Sequence, residues 1–323
     1  MTRKFIFGAL AAAALGLAVN GTLAAERVFF GIATGGTGGT YYPLGGMLAQ
    51  LLSNTVETGG KKLAATAETG NASVANAKLL GRGEIESAFV AADILDAAFK
   101  GSGQFTEEKI PNIRAIGALY PETVQLVVRA DAGINSFADL KGHSVSSGSP
   151  GSGQWQLLRD LLAAHGMKPE DVTEDLSSFA QSVDKIKDGN LDASLITAGS
   201  PTASVLDLAN ATNIKIVPLE GPAIEELKKV QPYYASVKLP ADTYKGQGAD
   251  VPTLAVMAIW ATHEGVDDGL VYEITKALYE NTETMAKVHP KGKDITLETA
   301  LTSVSIPLHK GSERYFKEKG LIK

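Results

Sequence analysis

The sequence predicts an α/β protein of two lobes, each a mixed sheet flanked by helices, with hinge strands joining them. Strand-like and helix-like segments alternate along the chain, which is the pattern of this class. A proline, Pro121, divides two apolar strand candidates and indicates a crossover to a second lobe. Four strand-to-helix turns, two in each predicted lobe, are rich in glycine and small hydroxyl residues.

The N-terminus has the features of an export signal. Arg3 and Lys4 precede an apolar run over 5–19, and small residues at Thr22 and Ala24 follow it. We expect a secretory signal peptide over 1–24, cleaved after Ala24 or the next alanine. An uncleaved anchor is the alternative, but the run is short of the about 20 apolar residues that a spanning helix needs.

Composition indicates a globular, exported protein. The chain has 323 residues, 44% of them hydrophobic and 20% charged, which suffices for two domains with their own cores. Without Arg3 and Lys4, 28 basic and 36 acidic residues remain, a net charge of −8 that argues against a general nucleic-acid binder. The chain has no cysteine, so it must fold without disulfides, which suits a bacterial periplasmic protein.

The first predicted lobe alternates helices with strands from its N-terminus. Val28 to Ile32 is an apolar strand that leads into the first glycine-rich turn. Apolar spacing then predicts a helix over 41–54, a strand over 63–67, a helix over 71–80, a strand over 87–90 and a helix over 93–99.

Two strands, 113–119 and 124–128, are predicted on either side of Tyr120-Pro121-Glu122, with a change of direction at the proline. The second lobe repeats the alternation with strands over 144–147, 191–197 and 214–218 and helices over 153–165 and 201–210. After a loop-rich stretch over 233–252, a strand over 251–260 and a helix over 267–288 should return to the first lobe. The predicted lobes are therefore 25–120 with 250–323, and 121–249, with hinges near 120–124 and 244–256.

The four turns indicate a ligand site. In an open α/β sheet such turns lie at the carboxyl ends of the strands, where ligands bind, and helix starts favour anions. Helix capping explains any one turn taken alone, but the first has more glycine than a cap requires. The turns span residues 34–40, 69–73, 147–153 and 197–202.

An exported serine hydrolase is the alternative from another class, because serines cluster around Ser149. The sequence around Ser149 lacks the G-x-S-x-G elbow, and the first turn lacks the dinucleotide spacing G-x-G-x-x-G. The chain has no P-loop, and its five histidines are not clustered. We therefore predict no enzyme activity, no cofactor and no metal site.

Residues 31–46 read GIATGGTGGTYYPLGG, which resembles the signature of the TAXI family of TRAP-transporter solute receptors. Further segments resemble that family in the expected order: residues 68–94, 119–128, 146–154, 197–203 and 244–256. The resemblance implies a periplasmic binding protein of type II-like architecture that hands its ligand to a TRAP membrane permease driven by a sodium or proton gradient. It also implies a small carboxylate ligand, similar to glutamate, glutamine or 2-oxoglutarate.

The candidate site follows from this resemblance. The first turn could hold one carboxylate, and the turns of the second lobe could hold the other end of the ligand. Glu68 could face an ammonium group or be solvated, Tyr120 could pack on the ligand or be a buried hinge residue, and Asp93 is interpreted as a helix cap. Arg129 is interpreted as a surface residue rather than a carboxylate ligand. The predicted ligand-binding residues are Thr34, Gly35, Thr37, Gly38, Thr40, Tyr41, Glu68, Asn71, Tyr120, Ser149, Ser152, Gly153, Thr197 and Gly199.

Overall fold

The computed structural model describes residues 27–323, so the predicted signal peptide over 1–24 lies outside the described residues. Within this range there are eleven strands and nine α-helices. The strands are β1 Arg27–Ala33, β2 Glu57–Thr58, β3 Lys61–Glu68, β4 Ser87–Ala91, β5 Ile113–Arg129, β6 Ser144–Ser146, β7 Thr173–Asp175, β8 Ala193–Ala198, β9 Ile214–Val217, β10 Ala235–Leu239 and β11 Val251–His263. The helices are α1 Tyr41–Thr55, α2 Ser73–Arg82, α3 Ala92–Lys100, α4 Gln154–Ala164, α5 Phe179–Lys187, α6 Ala203–Ala211, α7 Pro222–Val230, α8 Asp268–Tyr279 and α9 Lys310–Glu318.

The strands form one mixed sheet in the order β2-β3-β1-β4-β11-β5-β8-β6-β7, with β10 beside β11 and β9 beside β5. In the first half, β1 lies between β3 and β4 and is parallel to both. In the second half, β6 lies between β7 and β8 and is parallel to both. Each half therefore has a carboxyl edge from which the chain enters its helices, as the predicted α/β class requires.

Two long antiparallel strands join the halves. β5 pairs with β11 over Ile113 to Thr123 and then with β8 over Thr123 to Val128. β11 pairs with β10 at its start and with β4 over Ala258 to Thr262. These strands pass through both predicted hinge segments, 120–124 and 244–256. The lobe boundaries 25–120 with 250–323, and 121–249, stay a prediction.

Pro121 lies within β5, so the predicted break into two strands with a change of direction is wrong. Proline has no N–H to donate to a ladder, and strands accept it at irregular positions. Pro121 pairs with Met257, directly before a register shift between Met257 and Ile259. The irregular pairing thus accommodates the proline while the strand continues into the second half.

Apolar side chains of the helices and the sheet form the core. In the first half, Phe30, Leu44, Leu48 and Trp260 are almost completely buried in one cluster. A second cluster packs α5 and α6 against β8, and a third extends through both halves along β5 and β11. This packing fixes the helix starts at the carboxyl edges of the strands.

Two further predictions about elements need correction. The predicted helix over 267–288 ends at Tyr279, and a separate 3-10 segment follows over Thr282–Lys287. Asn281 donates its side-chain amide to the Ala277 carbonyl and helps to end the helix there. The stretch predicted as loop-rich contains strand β10. Its residue pattern does not predict a strand, and its pairing with β11 stabilises it. Over residues 27–323, every helix is too short or too polar to cross a bilayer.

Candidate functional site

A cavity of about 170 Å³ lies between the two halves. Five helices begin at its wall, because its lining includes Tyr41 of α1, Ser73 of α2, Asp93 of α3, Gln154 of α4 and Phe179 of α5. The first amides of a helix have no partner inside the helix, and the helix dipole is positive there. Each helix start therefore adds partial positive charge to the cavity wall.

Most of the predicted site residues meet at this cavity. From the first half, the glycine-rich turn and the start of α2 contribute, and from the second half the turns before α4 and α6 contribute. The predicted residues that line the cavity are Gly35, Thr37, Gly38, Thr40, Tyr41, Asn71, Ser149, Ser152, Gly153 and Thr197. We call the segments Gly35–Tyr41, Ser149–Gly153 and Thr197 the hydroxyl-rich turns. Whether they bind a ligand stays a prediction.

Four predicted residues lie outside the cavity lining. Thr34 is fully buried and its Oγ1 donates to the Glu68 carbonyl at 2.7 Å, so it holds the first turn against β3. The Glu68 side chain is exposed, and Tyr120 is buried with no hydrogen-bond partner for its hydroxyl. Gly199 accepts a hydrogen bond from Thr40 Oγ1 at 3.1 Å through its carbonyl and so contacts the site from behind.

Two carboxyl groups line the cavity, and we call Asp93 and Glu122 the acidic pair. The Tyr41 hydroxyl donates to Glu122 Oε2 at 2.7 Å, and the Tyr234 hydroxyl donates to Asp93 Oδ2 at 2.8 Å. Asp93 belongs to the first half and Tyr234 to the second, so the latter bond closes the cavity between the halves.

Burial governs the protonation of the acidic pair, because desolvation disfavours the charged form of a carboxyl. Burial raises the pKa of Glu122 to about 8, the Tyr41 hydrogen bond opposes this, and the neighbouring Asp93 raises the pKa as well. Burial also raises the pKa of Asp93, against the hydrogen bond from Tyr234. The pKa values of both tyrosines are raised well above the ordinary value, again mainly by burial, so both hydroxyls stay protonated donors at neutral pH.

Several polar atoms of the cavity wall have no hydrogen-bond partner in the protein. They are Asp93 Oδ1, Ser152 Oγ, Gln154 Oε1 and Thr197 Oγ1. Ser152 and Gln154 are only 4% and 8% exposed. Buried polar atoms are normally paired, so four unpaired atoms in one wall indicate a site that a polar ligand completes.

Backbone contacts hold the halves together around the cavity. The amides of Val74 and Ala75, in the first turn of α2, both donate to the Gly151 carbonyl at 3.0 Å. The Ser204 amide at the start of α6 donates to the Gly38 carbonyl at 3.2 Å. Two helix starts are thus capped by the opposite half, which makes this a closed arrangement.

Among the residues that line the cavity, sequence reasoning missed the acidic pair, Tyr234, Gln154 and the start of α5. Asp93 was interpreted as a cap, yet in the structure its carboxylate faces Tyr234 and the cavity. Glu122 is the one acidic residue of β5 and stands between two apolar runs of that strand, which is a readable signal. For Tyr234 we find no local signal, because only the packing of the second half on the first brings it to Asp93.

Arg129 ends β5 and pairs with Asp131 at 2.9 Å, outside the cavity lining. Among residues 27–323, no group of three or more His, Asp or Glu side chains is arranged so that it could hold a metal ion. Among the described residues, the charged side chains that line the cavity are those of the acidic pair.

The chain belongs to the NMT1-like family, whose profile matches residues 32–320. The match covers both halves of the sheet and all the turns that line the cavity. The match begins within β1, so it includes the whole of the first glycine-rich turn.

Three solved structures with this fold are described as binding proteins or in connection with import. The periplasmic binding protein BugD has a TM-score of 0.59 and 13% identity, over 91% of this chain and 98% of that one. The aliphatic sulphonate binding protein SsuA of Escherichia coli has a TM-score of 0.50 and 16% identity, over 91% and 83%. A Streptococcus mutans structure described for glutathione import via GshT and the cystine ABC importer TcyBC has a TM-score of 0.51 and 15% identity, over 86% and 99%. At these identities the likeness establishes the fold, which is that of periplasmic binding proteins.

Proposed function

We propose that this protein is a periplasmic solute receptor that captures a small carboxylate between its two halves and delivers it to a membrane permease. The observation that carries the proposal is the cavity itself. Five helix starts and four unpaired polar atoms surround about 170 Å³ of space at the facing carboxyl edges of two parallel strand sets. Membership of the NMT1-like family and the periplasmic binding protein fold support the same function.

The hydroxyl-rich turns suit a carboxylate. Hydroxyls and main-chain amides at helix starts donate hydrogen bonds to anions, and each helix start stabilises a negative charge by about 0.3–1 kcal/mol. Several such contacts together are consistent with a micromolar dissociation constant, which corresponds to about −8 kcal/mol. The cavity volume suits a ligand of the size of glutamate, glutamine or 2-oxoglutarate.

Closure of the two halves accompanies binding in this proposal. β5 and β11 are continuous through the predicted hinge segments, and bending of both strands would open the cavity to solvent. Opening breaks the hydrogen bonds that the amides of Val74, Ala75 and Ser204 donate across the cleft. Closure around a ligand forms these bonds again and adds the contacts of the ligand to both halves.

We infer that the partner is a TRAP-type permease that uses a sodium or proton gradient, on the basis of the resemblance over 31–46. The binding protein fold serves other carriers as well, since the Streptococcus mutans structure is described with an ABC importer. Uptake into vesicles that contain the permease should depend on this receptor and on an ion gradient, without ATP. Uptake that requires ATP would contradict the TRAP assignment.

The serine hydrolase alternative gains no support from the site. A serine nucleophile needs a neighbouring base, and no histidine is present among the described residues that line the cavity. Ser147 donates instead to Glu174 at 2.5 Å, and Glu174 is paired with Arg159. We therefore propose a binding protein without catalytic activity.

The experiment that tests the proposal is native mass spectrometry of the gently purified protein. We expect an adduct with the mass of a small carboxylic acid, and a rise in melting temperature when the same compound is added to stripped protein, because a ligand of the folded state stabilises it. Turnover of simple esters or peptides that Ser149→Ala abolishes would overturn the proposal.

A further inference from the structure

The charge of the cavity wall is unusual for an anion site. Among the described residues that line the cavity, there is no lysine, arginine or histidine, whereas two carboxyl groups are present. Receptors that hold a second carboxylate commonly pair it with an arginine. The acidic pair instead favours a cationic ligand, because a positive charge stabilises the ionised form of a buried carboxyl group.

Asp93 is poised to accept a hydrogen bond from the ligand. Its Oδ2 accepts from Tyr234, while its Oδ1 has no partner in the protein. Glu122 lies close enough to Asp93 for the two charges to affect each other, and it accepts from Tyr41 through Oε2. Both tyrosines donate and orient the carboxyl groups, but neither neutralises them.

The unpaired atoms nearby also call for a donor. Gln154 is 8% exposed, and its Nε2 donates to the Thr197 carbonyl at 3.4 Å, which leaves Oε1 as an acceptor without a partner. Ser152 Oγ and Thr197 Oγ1 are unpaired too, but a hydroxyl donates as well as accepts, and both side chains belong to the turns assigned to the ligand carboxylate. Gln154 Oε1 and the oxygens of ionised Asp93 only accept, so they fit a group with several N–H bonds rather than a second carboxylate.

We propose that the acidic pair, with Gln154, binds a protonated primary amine of the ligand, so that this receptor takes an amino acid rather than an oxo acid or a plain dicarboxylate. The inference rests on the proposed function, since the carboxylate of the same ligand is assigned to the hydroxyl-rich turns. An ammonium group has three N–H donors and one positive charge. It therefore meets Asp93 Oδ1 and Gln154 Oε1 and offsets the charge of the pair. The exposed Glu68, predicted as an ammonium partner, is replaced in this role by Asp93 and Glu122.

The test compares ligands that differ at one carbon. The first set has the same five-carbon diacid skeleton and differs at C2, which carries an ammonium group in L-glutamate, an oxo group in 2-oxoglutarate and only hydrogen in glutarate. The second set is L-glutamine and its amine-free counterpart, glutaramate. Each is titrated calorimetrically into protein stripped of ligand by denaturation, dialysis and refolding. We expect at least one amine-bearing compound to bind about tenfold or more tightly than its amine-free counterpart.

Asp93→Asn should weaken binding of that amino acid about tenfold or more and change the affinity for its amine-free counterpart less than about twofold. Asp96→Asn is the matched control. It removes a carboxylate from the same helix, but Asp96 pairs with Lys100 and does not line the cavity. Glu122→Gln provides a second variant if Asp93→Asn does not fold, and it should show the same selective loss.

The outcomes separate the two proposals. Tighter binding of 2-oxoglutarate or glutarate than of L-glutamate, or an unchanged amino-acid affinity in both Asp93→Asn and Glu122→Gln, overturns the amine site and leaves the carboxylate receptor intact. Binding of none of the five compounds overturns the amine site together with the proposed function. Selective binding of an amine-bearing compound that both variants abolish supports the inference.

Discussion

The hydroxyl-rich turns and the acidic pair face the same cavity but act by different physics. The turns present neutral hydroxyls and main-chain amides, whose dipoles are fixed by the helices that follow them. The acidic pair presents two carboxyl groups whose ionised form is disfavoured by burial, which raises the pKa of Glu122 to about 8. We therefore expect the turns to hold an anion at any ordinary pH, and the pair to respond to pH and to a cationic ligand.

The two regions also differ in how they are assembled. Each turn is contiguous in sequence and positions itself through its own strand and helix. The acidic pair and its two tyrosines draw on α3, β5, α1 and the segment after α7, so parts of the chain that are distant in sequence meet there. Variants in the turns should change affinity directly, and variants around the pair should change it through charge.

The largest expected effect is on the turns. Thr37→Ala and Ser149→Ala should each weaken ligand binding about tenfold to hundredfold, because a hydrogen bond to a charged group is worth about 1.5–3 kcal/mol. Isothermal titration calorimetry with the ligand found by native mass spectrometry measures this. Arg129→Ala is the control, since Arg129 pairs with Asp131 away from the cavity. A larger loss in Arg129→Ala than in the two turn variants would contradict the site.

The next effect concerns Glu122 and stability. A carboxyl whose pKa is raised on folding binds its proton more tightly in the folded state, so the free energy of unfolding falls as pH rises from about 4.5 toward 8. The slope from this one group reaches at most about 1.4 kcal/mol per pH unit. Glu122→Gln removes the titration, so the variant should gain stability relative to the original protein as pH rises through this window.

Urea unfolding of the ligand-free protein and of Glu122→Gln at pH 5 and pH 8 measures the difference. The groups that face Glu122 are Asp93, Tyr41, Tyr120 and Tyr234, and the pKa values of the tyrosines are raised above their ordinary value, so within this window Asp93 is the other group that can titrate. An equal stability difference at both pH values would show that Glu122 does not titrate there.

The smallest effect is expected for Tyr234→Phe. Loss of the hydroxyl removes the hydrogen bond that favours the ionised form of Asp93, so the pKa of Asp93 should rise further. We expect amino-acid binding at neutral pH to weaken about twofold to tenfold, because one hydrogen bond of this kind contributes about 0.5–1.5 kcal/mol. Calorimetry at pH 7 and pH 8.5 checks this, and the defect should shrink at the higher pH. Tighter binding in the variant would contradict the role assigned to Asp93.

Local pattern predicted several of the strands and helices around the site, but it missed α5, whose first residues line the cavity. The helix over 41–54 and the strand over 87–90 are Tyr41–Thr55 and Ser87–Ala91 in the structure, because apolar spacing and glycine turns mark them. β10 was missed because its stability comes from pairing with β11. The break at Pro121 was wrong because an irregular register with β11 accommodates the proline, which no local signal reveals.

The sequence by itself determined the α/β class and the four turns that end strands and begin helices, because glycine, hydroxyl residues and apolar periodicity act over a few residues. Only the tertiary structure decided the polarity of the cavity. Asp93, Glu122 and Tyr234 are separated by up to 141 positions, and their pairing depends on the packing of one half against the other. Burial, which sets the protonation and the cost of such charges, is a property of that packing and not of the residues themselves.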